Sequence, residues 1–352
     1  MSQETIEWLN QQTLIGHTDK RGNAWHYSES AQGDEPNHYT GPVPVADVER
    51  RLFSWDAIEL PLYVLKHAGI EDMTFINPEG VPMACAQIPN RKAIARSDTN
   101  AVLGIFKDSY QAHQPKEWLI ENVQLLVGGD LDIGSAGLLR GGAVAWLQVE
   151  ATDNMVTPSG VEFRPFIMAA TSFDGSLSTT YKVGSTVVVC DNTMAANLQD
   201  GGSTTKVRHT RYSNLNAKMI RDTLGIVEQA ATTFSADVDR LTNWVVTDKQ
   251  WSNFLDECCK FDANAKTTRA KTIADKKRND LTNLWTNDLR VAPWTNTAFG
   301  VLQATSTWAH HVQTVRGTNR AERNMLNAIT GATEKDDAET LTALARVCEM
   351  AL

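Results

Sequence analysis

The chain has 352 residues, of which 42% are hydrophobic and 21% charged, enough for one large or two ordinary domains around a sizeable core. Its formal net charge of −9 argues against indiscriminate binding to duplex nucleic acid, and no stretch approaches the about 18 consecutive apolar residues of a membrane span. Five scattered cysteines without a CxxC pair weigh against a zinc ribbon or a disulfide framework, and Met1-Ser2-Gln3-Glu4 lacks the plan of a signal peptide, so a cytoplasmic protein with reduced thiols is expected.

Residues 1–90 read as an irregular N-terminal arm with short helices. Trp25, His26, Tyr27, His38 and Tyr39 lie among glycines and prolines, a composition for loops that pack across something else. His17, Asp19, His26, Asp34 and His38 match no metal-ligand spacing, so packed aromatics and hydrogen-bonded loop histidines are expected. Val45, Val48, Leu52 and Phe53 have the spacing of one short amphipathic helix.

Residues 91–200 read as an antiparallel β-rich core built from hairpins. Arg91 to Arg96 and Val102 to Phe106 flank the turn-rich Ser97-Asp98-Thr99-Asn100. Pro115 opens a helix to about Leu126, with Trp118, Leu119, Val123 and Leu126 on one face and Gly128-Gly129 to stop it. Leu131 to Leu139 and Ala143 to Ala151 flank Arg140-Gly141-Gly142 as a second hairpin. Phe166 to Ser172 is an apolar strand, Asp174-Gly175 reverses it, and Leu177 to Tyr181 returns. Gly184-Ser185 then reads as a turn. Thr186 to Cys190 reads as a strand covered on both faces, and Asp191, Asn192 and Thr193 as caps of a helix from Met194. Cys190 is expected to be a small core residue.

Residues 201–352 read as a helical region packed on that core. Ile220, Leu224, Val227 and Ala231 form an apolar stripe, while Lys218 and Arg221 share another face. Thr247-Asp248-Lys249-Gln250 is a capping box with Trp251, Phe254, Leu255 and Cys258 inward. Lys266, Arg269, Lys271, Lys276, Lys277 and Arg278 read mainly as a solvated helix face. Pro293 and Gly300 break the chain near 295, and helices follow over 303–315, 319–330 and 335–350, with His310-His311 as a surface pair. The fold class is therefore α+β: a mostly antiparallel sheet in the middle, a helical C-terminal half and an irregular N-terminal arm.

The hairpin Ser172-Phe173-Asp174-Gly175-Ser176, then Val188-Val189-Cys190-Asp191-Asn192-Thr193, then Arg208-His209-Thr210 resembles a phage- and plasmid-like family catalogued as domain of unknown function 932. Thr18-Asp19-Lys20-Arg21-Gly22-Asn23-Ala24-Trp25-His26-Tyr27 is similar to the opening of its phage members. The resemblance implies carriage on phages or plasmids and no particular chemistry.

No nucleotide-binding glycine loop, HExxH or GxSxG is present, and no cofactor or metal motif is found. Asp174, Asp191, His209 and Asp222 leave a metal-dependent nuclease as a minor alternative. The charge is uneven: residues 1–80 carry 13 acidic and 5 basic side chains, residues 201–290 carry 15 basic and 11 acidic. Lys182, Lys206, Arg208, His209, Arg211, Lys218 and Arg221 gather near the end of the β core, with Trp25, Tyr27 and Tyr212 to stack on bases. That combination suits single-stranded DNA, whose binding needs cations along a backbone and flat aromatic faces. In outline it is similar to phage single-strand annealing proteins, which implies a homo-oligomer acting in recombination. An interaction protein that blocks a host factor is the alternative from another class.

Overall fold

The computed structural model describes residues 12–20, 35–65, 74–76, 82–127, 131–151, 153–187, 192–195, 204–213, 217–260, 268–318 and 320–349. The chain is α+β, with antiparallel sheets in its N-terminal and central parts and helices mostly towards the C-terminus. None of the described helices is long and apolar enough to cross a membrane.

The expected arm contributes to the sheet: β1 (Thr13–Ile15) pairs with β6 (Leu131–Leu139). Helix α1 (Val45–Arg51) forms where its spacing places it and buries Val48. A small sheet follows, made of β2 (Ala57–Leu65), β3 (Thr74–Ile76), β4 (Pro82–Arg96) and β5 (Val102–Lys107), with β4 in the centre. β2 hides its nature in the sequence because Pro61 interrupts it, and the pairing with β4 shifts register there. An edge strand with a bulge is where a sheet tolerates proline.

Next come a π-helical turn (Lys116–Glu121) and α2 (Asn122–Val127), burying Trp118, Leu119 and Val123. The large sheet runs in the order β1, β6, β7 (Val144–Ala151), β9 (Glu162–Ser172), β10 (Thr179–Val187) and β11 (Asn192–Ala195). The short β8 (Met155–Val156) pairs with β9, and β12 (Thr204–Val207) pairs with β10.

β7 and β9 are apolar almost continuously because both faces of this sheet are covered. Ala145, Leu147, Ile167 and Ala169 pack on one face with Val48, Ile94 and Leu119. Val144, Trp146, Met168 and Ala170 pack on the other with Ala328 and Ile329.

Gly184 and Ser185 do not turn; they lie within β10, opposite Phe166 and Pro165 of β9. Local turn chemistry loses there to packing, because a side chain at Gly184 would overlap the Phe166 ring. The helix expected from Met194 does not begin there, and residues 196–203 lie outside the described residues. Asn192–Ala195 is β11, pairing Thr193 with Thr186 and Asn192 with Val187 of β10. Cys190 and Asp191 lie outside the described residues.

The helical layer contains α3 (Ala217–Asn243), α4 (Asp248–Cys258), α5 (Arg269–Asn287), α6 (Ala298–Thr307), a π-helical turn (Trp308–Val312), α7 (Arg320–Thr330) and α8 (Ala332–Cys348). Phe234 and Leu241 of α3, Phe299 and Leu302 of α6 and Leu344 of α8 share one core. Gly300 is inside α6, where any side chain would overlap the Trp294 carbonyl oxygen. His310 is buried rather than on the surface.

The capping box forms as expected: Thr247 Oγ1 accepts from Gln250 N at 3.3 Å, and Gln250 Oε1 accepts from Thr247 N at 2.9 Å. Thr247→Ala leaves the N-terminus of α4 without that acceptor. A loss of about 1 kcal/mol in urea unfolding is expected.

Candidate nucleic-acid interface

The antiparallel register of β4 and β5 sets Arg91 directly opposite Lys107, and both are exposed. Like charges face to face destabilise a strand pair, so the chain loses some stability to present them. Nearby cations are neutralised, Lys92 on Glu59 at 2.6 Å and Arg96 on Asp98 at 2.7 Å. Arg91 and Lys107 have no carboxylate partner among the described residues.

Just beyond β5 the chain touches the exit of β12. Tyr110 bridges to Thr210, and Gln111 N donates to His209 O at 3.3 Å. A β-turn closes there, with Ser213 N donating to Thr210 O at 3.0 Å and Thr210 N to Ser213 Oγ at 3.1 Å. Its two central residues are Arg211 and Tyr212, and both are exposed. Tyr212 is 93% exposed.

Beneath the turn five rings stack in series. Phe106 lies 3.8 Å from Tyr110 between centroids, Tyr110 5.1 Å from His209, His209 4.1 Å from His113, and His113 3.6 Å from Trp118. Threonines fix the imidazoles: Thr179 Oγ1 is 2.7 Å from His113 Nδ1 and 3.3 Å from His209 Nε2, and Thr171 Oγ1 is 2.8 Å from Thr179 Oγ1. Burial pushes His113 down to about 3, with His209 adding to the effect, and pushes His209 down to about 4. Both rings are neutral at ordinary pH, so His209 contributes a flat face and no positive charge.

Phe106, Tyr110, His209, Arg91, Lys107, Arg211 and Tyr212 line an open cleft of about 860 Å³. Asp108 is the acidic residue on that lining. A second hollow of about 490 Å³, walled mainly by apolar residues such as Pro42, Val43, Ile120, Val123 and Leu147 with Gln124 and Asp132 beside them, has no cation on its lining to fix an anion.

The residues expected from sequence are partly gathered and partly dispersed. His209, Arg211 and Tyr212 share the cleft. Lys206 and Arg208 are exposed but alternate with Val207 and His209 along the chain, which sets them on the opposite face of the β12 edge. Lys182 is inside: its Nζ donates to Ala328 O at 2.7 Å and forms an ion pair with Glu334, both side chains buried. No phosphate reaches it. Lys218 and Arg221 fall at the start of α3, where side chains are outside the described ones, and Trp25 and Tyr27 lie outside the described residues altogether. For the nuclease alternative, Asp174 is engaged with Arg140 at 3.0 Å and with Ser176 N at 2.8 Å. Among the described residues no group of three His, Cys, Asp or Glu side chains could hold a metal ion.

Arg91, Lys107, Phe106 and Tyr110 were missed by sequence reading. Extended straight from the Ser97–Asn100 turn, the hairpin register sets Arg91 opposite Phe106; the irregularity between Ile94 and Ala95 moves its partner to Lys107, and nothing local signals that shift or pairs Tyr110 with His209.

A family model described as a domain of unknown function (DUF932) matches residues 102–330. No curated protein and no solved structure matches the chain.

Proposed function

The chain belongs to the family described as a domain of unknown function (DUF932), a label that carries no chemistry, and from its surface we propose that it binds single-stranded nucleic acid through the cleft beside Tyr110 and Tyr212. The observation that carries this reading is the set Arg91, Lys107 and Arg211, exposed and without carboxylate partners among the described residues, around an aromatic floor in a chain of net charge −9. Backbone phosphates take the cations and bases take the ring faces, without base-edge readout. Lys206 and Arg208, around the β12 edge, extend the positive surface for a strand leaving the cleft.

In its fuller form the proposal is a homo-oligomeric single-strand annealing protein of phage or plasmid type, acting in recombination in its host's cytoplasm. Exposed apolar side chains on the small sheet, Val64 and Leu65 of β2 and Val102 and Ile105 of β5, support self-assembly.

A salt titration of labelled oligo-dT followed by fluorescence anisotropy tests the reading. Three phosphate contacts give a log–log salt slope of about −2. Arg91→Ala, Lys107→Ala and Arg211→Ala together should weaken binding at least about tenfold and flatten that slope. Tyr212→Ala should weaken binding by about 1–3 kcal/mol with the slope unchanged. A triple variant that binds like the parent, or a parent that does not bind, overturns the reading.

A further inference from the structure

We propose that Cys258 and Cys259 form a two-sulfur chelating site for a soft, thiophilic ligand, of which trivalent arsenicals are the defining class. Adjacent residues on a regular helix point about 100° apart and do not normally converge. Here α4 ends at Cys258, and Cys259 leaves helical backbone at φ −109° and ψ 24° while its N–H still donates to Leu255 O at 3.0 Å. The break brings the two sulfurs to 3.6 Å, with both side chains half-buried. Two thiolates bound to one centre at about 2.3 Å lie about 3.3–3.8 Å apart for bond angles between a right angle, near that of pyramidal trivalent arsenic, and tetrahedral, so the pair is already at a chelating separation.

The surroundings favour a thiolate. Lys277 Nζ donates to Cys258 O at 3.2 Å and lies 4.9 Å from the Trp308 ring centre, which holds its charge beside the sulfurs. Arg278, anchored on Asp256 at 2.6 Å, adds a second cation. The Cys259 thiol is drawn down to about 7, first by accepting the Cys258 S–H and then by Lys277 and Arg278. Cys258 is pushed up by donating that hydrogen bond and by burial. One sulfur is the nucleophile and the other supplies the second bond.

With a hydrated organoarsenical, RAs(OH)₂, the Cys259 sulfur forms the first As–S bond as one As–OH bond breaks. The Cys258 sulfur then displaces the second hydroxyl. Each hydroxyl leaves with a thiol proton as water, and arsenic stays trivalent throughout. Soft thiolate pairs select such centres over oxygen-seeking ions.

Intact-mass spectrometry of the full chain with phenylarsine oxide tests this. One adduct per chain should survive excess 2-mercaptoethanol and be released by dithiothreitol, because a chelate resists single thiols through its effective concentration. Cys258→Ser or Cys259→Ser should each lower the surviving adduct at least about tenfold, whereas Cys348→Ser should leave it unchanged. On the unsubstituted protein, bound arsenical should block iodoacetamide labelling at both Cys258 and Cys259 in peptide maps. Absence of a 2-mercaptoethanol-resistant adduct, or its loss in Cys348→Ser, or protection mapping to other residues, overturns the proposal.

Discussion

Lys182→Met is expected to cost about 3–5 kcal/mol of folding stability, the usual result of removing one partner from a buried ion pair. The ammonium lies between β10 and the first turn of α8, where Glu334 also gains from the positive end of the helix. It is the cation nearest two buried carboxyls. Asp337, fully buried, is held well above the ordinary carboxylate range by burial and then by the Glu334 and Asp336 charges, while Lys182 pulls the other way. Without the ammonium, buried Glu334 loses its ion-pair partner and keeps the buried Asp337 as a neighbour. Urea unfolding of Lys182→Met, Glu334→Leu and the double variant separates the terms. The double variant should recover most of the loss, since a packed apolar pair often replaces a buried ion pair at little cost. A single variant within about 1 kcal/mol of the parent would show that the pair does not hold the two layers together.

Acid should unfold the protein through the ring stack, and here the expected loss is about 2–4 kcal/mol between pH 6.5 and 4.5 for the His113 and His209 pair, after allowance for screening. The sign follows from the two states. In the unfolded chain an imidazole binds its proton near pH 6.5, but in the folded chain His113 does so only near 3 and His209 only near 4. Their contribution is therefore complete above pH 6.5 and falls as pH drops towards 4, because the unfolded state binds the extra protons. The slope is at most about 1.4 kcal/mol per pH unit for each ring. His209→Phe keeps a ring in the stack and removes one titration, so its unfolding free energy should fall less steeply by about one proton. His310, also pushed down to about 4 by burial, titrates in both proteins and cancels from the difference. Equal slopes in the two proteins would remove the imidazoles from the account.

The sequence made the strands legible where local chemistry and tertiary packing agree. The hairpins around Ser97–Asn100, Arg140–Gly142 and Asp174-Gly175 are of this kind, as is the Thr247 cap. It misled where the two compete: Gly184 and Gly300 look like breaks, yet each is glycine because a neighbouring ring or carbonyl occupies the space of a side chain. Lys182 looked like a surface cation because its partner lies 152 residues further on. In the cleft, Arg211 and Tyr212 were visible as a cation and a ring available to stack, though not as the centre of a turn. The stack beneath them was not, since contact between Tyr110 and His209 depends on how β12 docks beside β10.

The Lys182–Glu334 pairing also bears on how the protein should be cut for expression. The family region, residues 102–330, ends before Glu334, so a fragment trimmed to it would keep the ammonium and discard its counter-ion. The same trimming at the front would leave β5 without the strand to which it hydrogen-bonds. A fragment intended to fold should begin before α1 and run through α8; one drawn at the family limits is expected to aggregate.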